Sequence, residues 1–362
     1  MELGRAQVEA RLAAIFEPKT PNLAAELASI PNTRKLPSLK VHSPTSSGFS
    51  SGCYMSSLLN VVHSATMKGF GCLGGGPYGA YFNYKYYNDQ QLIDNISNLQ
   101  DKRVIIQHGT QDEYTAYEQA VTNRDWWKDE IGIPEDQLNT DYLGMDGYHN
   151  IPSAFYGPTG PGTGCLSFEN TYSVVNCATK YPDYDSSVAS ICWLYPDLNC
   201  FNSGVPSAGG KASNVVTKGN YNGMLTEFSQ EEFCLPYADN TCEKIYMSDT
   251  GHIYIPNQCK SSDSNCKLHL VLHGCGLTAM NWGTEYMKRL TMFELADKFG
   301  IVLLIPSANN FDNGETLTGC WNTNGYLGTG HIFMTKDNPQ MKVYKGMLDR
   351  LMGEWDASEF LN

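Results

Sequence analysis

Twelve cysteines occur without a single C-x-x-C pair, which removes the main support for a zinc-ribbon or thioredoxin-like site. Clusters of Lys and Arg of the kind that track a phosphate backbone are also missing. With 25 basic residues against 38 acidic ones the formal net charge is −13. Neither nucleic acid nor an anionic membrane surface is therefore an expected partner, and the expected substrate is neutral or cationic. No apolar run approaches the ~20 residues that a bilayer span requires. The first twenty residues, MELGRAQVEARLAAIFEPKT, do not form a secretory signal, because charges interrupt them and their longest apolar run is LAAIF. They read as an amphipathic helix. Internal repeats and long low-complexity tracts are absent too.

The cysteines carry information by their number and placement. Twelve is even, and most lie beyond residue 160. Cys259 and Cys266 bracket the polar loop KSSDSN, and Cys234 and Cys242 bracket LPYADNT, so each pair is a candidate disulfide closing a short loop. Unrelated buried thiols are the plainer alternative. One N-glycosylation sequon, Asn95-Ile96-Ser97, adds weak support for an oxidising compartment. A secreted protein in a mature or engineered form is expected on these grounds, and a monomer is the expected state.

A hydrophobic content of 41% is enough for a packed core. Residues 1–44 read as an N-terminal helical extension that ends in a Pro-rich stretch, and 45–362 as a single catalytic domain. From Cys53, CYMSSLLNVVHSATMKG places Met55, Leu58, Leu59 and Val62 on one helical face, with Gly69 as its stop. RVIIQHG, KLHLVLHG and IVLLIP read as buried strands, GHIYIP as an alternating one, and YEQAVTNRDWWKDEIG as a helix. Residues 156 to about 215, rich in Gly, Pro, Ser and Asn with four cysteines, form an irregular, stapled insertion. Tyr286, Leu290, Phe293, Ala296 and Phe299 line a helix closed by Gly300. In the last helix Asp337 or Asn338 caps the start, Pro339 suits the first turn, and Met341, Tyr344, Leu348, Leu351 and Trp355 form a stripe. Strands alternating with helices imply an α/β fold with a mainly parallel central sheet flanked by helices.

Gly48-Phe49-Ser50-Ser51-Gly52 fits G-x-S-x-G, in which a strained strand-to-helix turn exposes a nucleophilic serine and glycines avoid backbone clashes. A Ser-Gly loop is the competing reading, and the preceding KVHSPTS, with Pro44, makes a poor strand. A serine needs a base, and the base an orienting acid. Asp112 follows the strand RVIIQHG by a short loop, and His149 stands in the Gly-rich GMDGYHNIPS. A turn aspartate and a surface histidine are their bland counterparts. Asp141 and Asp146 are weaker acid candidates, being so near His149. An oxyanion hole takes one amide from the residue after the nucleophile, Ser51, and a second from a loop after another strand. LHLVLHGCG supplies that loop, with Cys275 N–H as donor. Its position more than two hundred residues after Ser50 leaves two readings open: a plain strand-ending turn, or a circular permutation that moved the termini.

SGFSSGCYMSSLLNVVHSATMKGFGCLGGGPYG, GTQD, GYHNIPS, YIPNQCKSSDSNCKLHLVLHGCG, GCWNTNGYLG and DNPQMKVYKGMLDRL occur in that order. Together they resemble the extracellular poly(3-hydroxybutyrate) depolymerases of the fungal type, from about Leu36 to about Leu351. The resemblance implies a circularly permuted α/β-hydrolase with Ser50 as nucleophile, Asp112 as acid and His149 as base. It implies the amides of Ser51 and Cys275 as the oxyanion hole, Trp321 as an aromatic wall beside the bound ester, and a Cys275–Cys320 disulfide. No metal or cofactor is implied. The activity implied is that of a serine esterase on a neutral polyester or short hydroxyalkanoate esters. The alternatives are a small-ester, feruloyl or acetyl esterase without polymer activity and a non-catalytic binding relative. The sequence departs from the pattern in a shortened strand before the elbow, in GGPY lacking a following cysteine, and in GCW continuing as NTNGY.

Overall fold

The computed structural model describes residues 29–31, 34–79, 81–156, 173–177, 181, 183–200, 212–234, 236, 242–261, 264–309, 319–323, 325 and 330–353. The helices expected at the start of the chain, part of the 156–215 insertion, and Trp355 lie outside these residues.

Nine strands form one sheet: β1 (His42–Phe49), β2 (Gly69–Leu73), β3 (Arg103–Gly109), β4 (Leu138–Asn139), β5 (Leu143–Met145), and then, beyond the separate pair β6 (Ile151–Ser153) and β7 (Val174–Asn176), β8 (Met224–Ser229), β9 (Thr250–Ile255), β10 (Lys267–Leu272) and β11 (Ile301–Ile305). Their order across the sheet is β8-β9-β11-β10-β1-β2-β3-β4, with β5 also paired to β3. Only the β8–β9 and β9–β11 pairings are antiparallel. Counted from β8, the spatial order reads 1-2-4-3-5-6-7-8, the order of an α/β-hydrolase sheet entered in the middle. The chain is therefore a circularly permuted α/β-hydrolase fold. Its junction is visible: Leu351, near the end of the last helix, accepts hydrogen bonds at its carbonyl from Leu39 and Val41 N–H, both 3.2 Å. Arg350 Nη1 donates to Leu36 O at 3.1 Å. Leu36, Leu39 and Val41 are buried, so the packed body takes in chain upstream of residue 45.

Two cores sandwich the sheet. On one face, α1 (Ser51–Val62), the continuation of α2 (Tyr117–Asp125) through Trp126 and Trp127, and α5 (Pro339–Met352) pack through Met55, Leu59, Trp127, Met341, Tyr344 and Leu348. On the other, α3 (Ser186–Leu194) and α4 (Met292–Phe299) contribute Val188, Ile191, Phe293 and Ala296. β11 shows the period of two that a strand buried on both sides must have: Val302 and Leu304 join the first core, Ile301, Leu303 and Ile305 the second.

Some local expectations shift. β1 is a full central strand of eight residues despite its poor apolar pattern. Its interior hydroxyls are buried but paired: Thr45 Oγ1 meets His269 Nδ1 at 2.7 Å, Ser47 Oγ meets His269 Nε2 at 2.8 Å, and Ser46 Oγ meets Ser56 Oγ at 2.6 Å. Pro44 sits where the β1–β10 register shifts, the place a strand tolerates a missing N–H. α1 stops at Val62, and Gly69 opens β2 instead of ending the helix. The helix expected to begin at Tyr286 is broken at Thr291, which has φ 58°, and only Met292–Phe299 is α-helical. In α5, Asn338 is the cap, its side chain accepting from Gln340 N–H at 2.9 Å.

Candidate active site

Ser50 stands between β1 and α1 with φ 55° and ψ −122°. A non-glycine residue holds such a conformation only where its surroundings over-determine it, and two glycines show how. A Cβ on Gly48 would lie 2.0 Å from Gly52 O, and one on Gly52 would lie 2.1 Å from Leu272 O and 2.6 Å from His273 O. Only with both positions bare does the start of α1 fold back onto β1 and the end of β10. Ser50 N–H donates to Leu73 O at 2.9 Å, which pins the turn to β2. Cys53 and Cys72 form a disulfide that ties α1 to the same strand.

Asp112 and His149 come from neighbouring loops at the same sheet edge. Asp112 follows β3, and His149 follows β5, which pairs with β3. Thr110 N–H donates to Met145 O at 2.7 Å and Gln111 N–H to Gly147 O at 3.0 Å, so the two loops are stitched together. His149 Nδ1 donates to Asp112 Oδ2 at 2.6 Å. Oδ1 of the same carboxylate accepts from Tyr114 and Thr115 N–H, both at 2.9 Å. Burial pushes the Asp112 pKa up, but the hydrogen bonds from His149 and Thr115 outweigh it and hold the carboxyl below its ordinary value. It is an acceptor at neutral pH and fixes the imidazole with Nε2 free. The imidazole lies on Phe49, ring centroids 4.6 Å apart, with the Tyr114 ring at 5.3 Å. Phe49 immediately precedes Ser50, so the imidazole rests on the residue next to the serine. Among the described residues Ser50 Oγ has no hydrogen-bond partner.

The β10 end supplies the other wall. Gly274 lies so close to the elbow that a Cβ there would come 2.9 Å from Phe49 Cδ1 and 3.2 Å from Ser50 Cβ. Cys275 is the next residue, disulfide-bonded to Cys320. Ser51 is the first residue of α1, where a backbone N–H lacks an intrahelical acceptor. His273 is fully buried: its Nδ1 donates to Gly274 O at 2.8 Å and its Nε2 accepts from Ala308 N–H at 3.0 Å. Burial pushes its pKa down to about 4, so it is neutral.

Trp321 has a different place from the one expected. It is 0% exposed, its Nε1 donates to His273 O at 2.8 Å, and its ring packs on His273 and Tyr344. It braces the Cys275 loop from behind instead of walling an open crevice, because a buried indole N–H needs an acceptor and this carbonyl provides it. The bracketed cysteine pairs 259–266 and 234–242 are disulfides. Cys53–Cys72 and Cys192–Cys200 are two further ones that no short polar loop advertises. Thr115, Phe49 and His108, which surround the Asp112–His149 pair, escaped sequence reasoning. The one available signal was Asp-x-x-Thr, which reads equally well as a helix cap.

Comparison with known proteins finds relatives over most of the chain. The sequence is 27% identical over 328 residues to a polyhydroxybutyrate depolymerase of Talaromyces funiculosus, covering 81% of this chain and 86% of that one. The chain resembles polyhydroxybutyrate depolymerases. A poly(3-hydroxybutyrate) depolymerase of Delftia acidovorans is 26% identical over 344 residues, which are 87% of this chain but 61% of the longer relative. Among solved structures, a depolymerase variant complexed with an R3HB trimer superposes with a TM-score of 0.72 at 21% identity, covering 89% of this chain and all of the other. The Penicillium funiculosum depolymerase gives 0.69 at 22% over the same shares. At these identities the structural likeness concerns the fold. No family model matches the sequence.

Proposed function

We propose that this chain is a serine esterase that hydrolyses poly(3-hydroxybutyrate) or short hydroxyalkanoate esters through an acyl-enzyme, with the chain from about Leu36 onward acting as one catalytic domain. The observation that carries the reading is the Asp112–His149 hydrogen bond of 2.6 Å, with the imidazole tilted against Phe49, next to a serine at φ 55°. Ser50 Oγ attacks the ester carbonyl while His149 Nε2 takes its proton. Asp112 keeps the tautomer and stabilises the imidazolium. The amides of Ser51 and Cys275 hold the oxyanion. His149 then gives the proton to the departing alcohol, and water, activated in the same way, frees the acid and restores Ser50. The disulfides fit an oxidising compartment and a secreted enzyme. A neutral polyester suits a chain of net charge −13 better than an anionic polymer.

The test compares wild type and Ser50→Ala on p-nitrophenyl butyrate and on a turbid poly(3-hydroxybutyrate) suspension. The expected result is that wild type acts on both and Ser50→Ala on neither. Cleavage of the small ester without clearing moves the substrate to small esters, and an active Ser50→Ala removes the mechanism.

A further inference from the structure

Behind the Asp112–His149 pair lies a second histidine. His108, at the end of β3, is fully buried, with Nδ1 2.8 Å from Gly109 O. A carbonyl only accepts, so Nδ1 carries the proton and Nε2 of the neutral ring is a lone pair. Burial lowers the His108 pKa and favours that neutral form. Its Nε2 is 3.7 Å from Asp112 Oδ2. Two acceptors thus face each other in a space closed to solvent, where both side chains are at most 1% exposed. Such an arrangement needs a donor between them.

Thr115 Oγ1 is there. It lies 2.8 Å from Asp112 Oδ2, 3.2 Å from His108 Nε2, 2.9 Å from Gly74 O and 3.4 Å from His149 Nδ1. Gly74 belongs to the loop after β2 and turns its bare Cα toward the imidazole: a Cβ there would lie 3.3 Å from His149 Cε1 and Nδ1. One hydroxyl thus sits among three acceptors, the acid, the second histidine and the loop under the base, and its single proton goes to the nearest and most negative of them, Asp112 Oδ2.

We propose that Thr115 is a positioning residue of this site, its hydroxyl setting the Asp112 carboxylate against His149 by donating to Oδ2. Thr115 contributes two of the four donors to the carboxylate, its backbone N–H to Oδ1 and its hydroxyl to Oδ2. Tyr114 N–H and His149 supply the others. Without the hydroxyl, Oδ2 is left facing an unshielded lone pair, and the carboxylate relieves this by turning away from His149. The residue touches no reacting atom, so its loss acts on kcat through orientation and leaves ester binding alone.

This inference rests on Ser50, Asp112 and His149 being the catalytic set, and the experiment separates the two. Thr115→Val, Thr115→Ser and Ser50→Ala are compared on p-nitrophenyl butyrate, with the thermal midpoint of each. Valine keeps the shape and removes the hydroxyl, and serine keeps the hydroxyl. The expected result is a fall of about tenfold in kcat for Thr115→Val with KM unchanged, and near wild-type kcat for Thr115→Ser. Ser50→Ala is inactive. Wild-type kcat in Thr115→Val overturns the inference. Equal losses in the valine and serine variants overturn it too, since they assign the effect to packing of the methyl group. An active Ser50→Ala sinks the catalytic reading itself, whatever the Thr115 variants do.

Discussion

Acid is expected to unfold this protein through its buried histidines before its carboxylates are exhausted. His63, His269 and His273 are fully buried, and burial is the largest cause holding their pKa values down, to about 4, about 3 and about 4. At His63 nearby Lys345 and Lys336 lower it further while Asp94 opposes them. In the unfolded chain each titrates near 6.5. Below that pH the unfolded state binds protons that the folded state refuses, so stability falls as pH falls, and it is fully present only above about 6.5. Each such histidine costs about 1.4 kcal/mol per pH unit until its folded pKa is reached, hence about 2 kcal/mol at pH 5 and roughly 6 kcal/mol for the three. That equals the lower end of a domain's net stability, about 5–15 kcal/mol. Asp112, whose carboxyl is held low, acts in the same direction at more acid pH, while Asp185 and Asp249, held high by burial, oppose it. The assay is urea unfolding at fixed pH values from about 7.5 to about 5. His108 and His252, also held low by burial, add to the uptake, so the pH slope should report about three protons or more taken up on unfolding near pH 5.5. His269→Gln isolates one of them: the ring lies between the Thr45 and Ser47 hydroxyls, away from Ser50, so the variant should lose one proton from the slope. Stability independent of pH over this range, or a slope unchanged by His269→Gln, would refute the reasoning.

Two shorter predictions concern the site's supports. Gly52→Ala puts a methyl 2.1 Å from Leu272 O, a backbone atom that cannot step aside, so α1 and β10 separate by roughly an ångström and esterase activity should drop about a hundredfold; wild-type rates in a folded Gly52→Ala would show that the elbow and the β10 end need not touch. Cys320→Ser frees the Cys275 loop from the segment carrying Trp321, and the expected outcome in steady-state kinetics on the small ester is a lower kcat at similar KM, with a thermal midpoint reduced by the loss of a link worth about 2–4 kcal/mol. An unchanged kcat would mean that the Trp321–His273 and His273–Ala308 bonds hold that loop alone.

The parallel strands were legible because burial on both faces forces continuous apolar runs, as in IVLLI and RVIIQ. β1 was not, because its buried side chains are serines and a threonine whose partners come from β10 and α1, some two hundred residues away and ten residues on. Apolar periodicity carries no trace of a hydroxyl satisfied by a distant histidine. The elbow itself was readable from its glycines, since the need for bare Cα positions is local. The surroundings of Asp112 were not. Thr115 is three residues away in sequence, but its meaning comes from Gly74 and His108, which the fold brings to it. Trp321 failed for the opposite reason: an aromatic residue beside a disulfide fits a crevice wall and a buried brace equally well until its N–H acceptor is known.

The permutation leaves the chemistry intact because of where the chain is cut. Ser50 follows β1 and the Cys275 loop follows β10, and these strands are immediate neighbours, with Gly48 opposite Leu272. The seam that brings the proposed nucleophile beside the loop of the proposed second oxyanion amide is thus a pairing between strands more than two hundred residues apart. The opening lies elsewhere, between the end of α5 and the start of β1, where Leu351 O takes Leu39 and Val41 N–H. A break there removes one covalent link but no ladder hydrogen bond of the sheet. Its burden falls on folding: the β1–β10 contact closes a very long loop, and such contacts are rewarded only after their loop entropy has been met. The Cys53–Cys72 disulfide secures the elbow to β2 within one half of the chain, and Cys275–Cys320 secures the oxyanion loop within the other. Each half thus carries a disulfide beside its own part of the proposed site, so no covalent link between the halves is needed to brace either part.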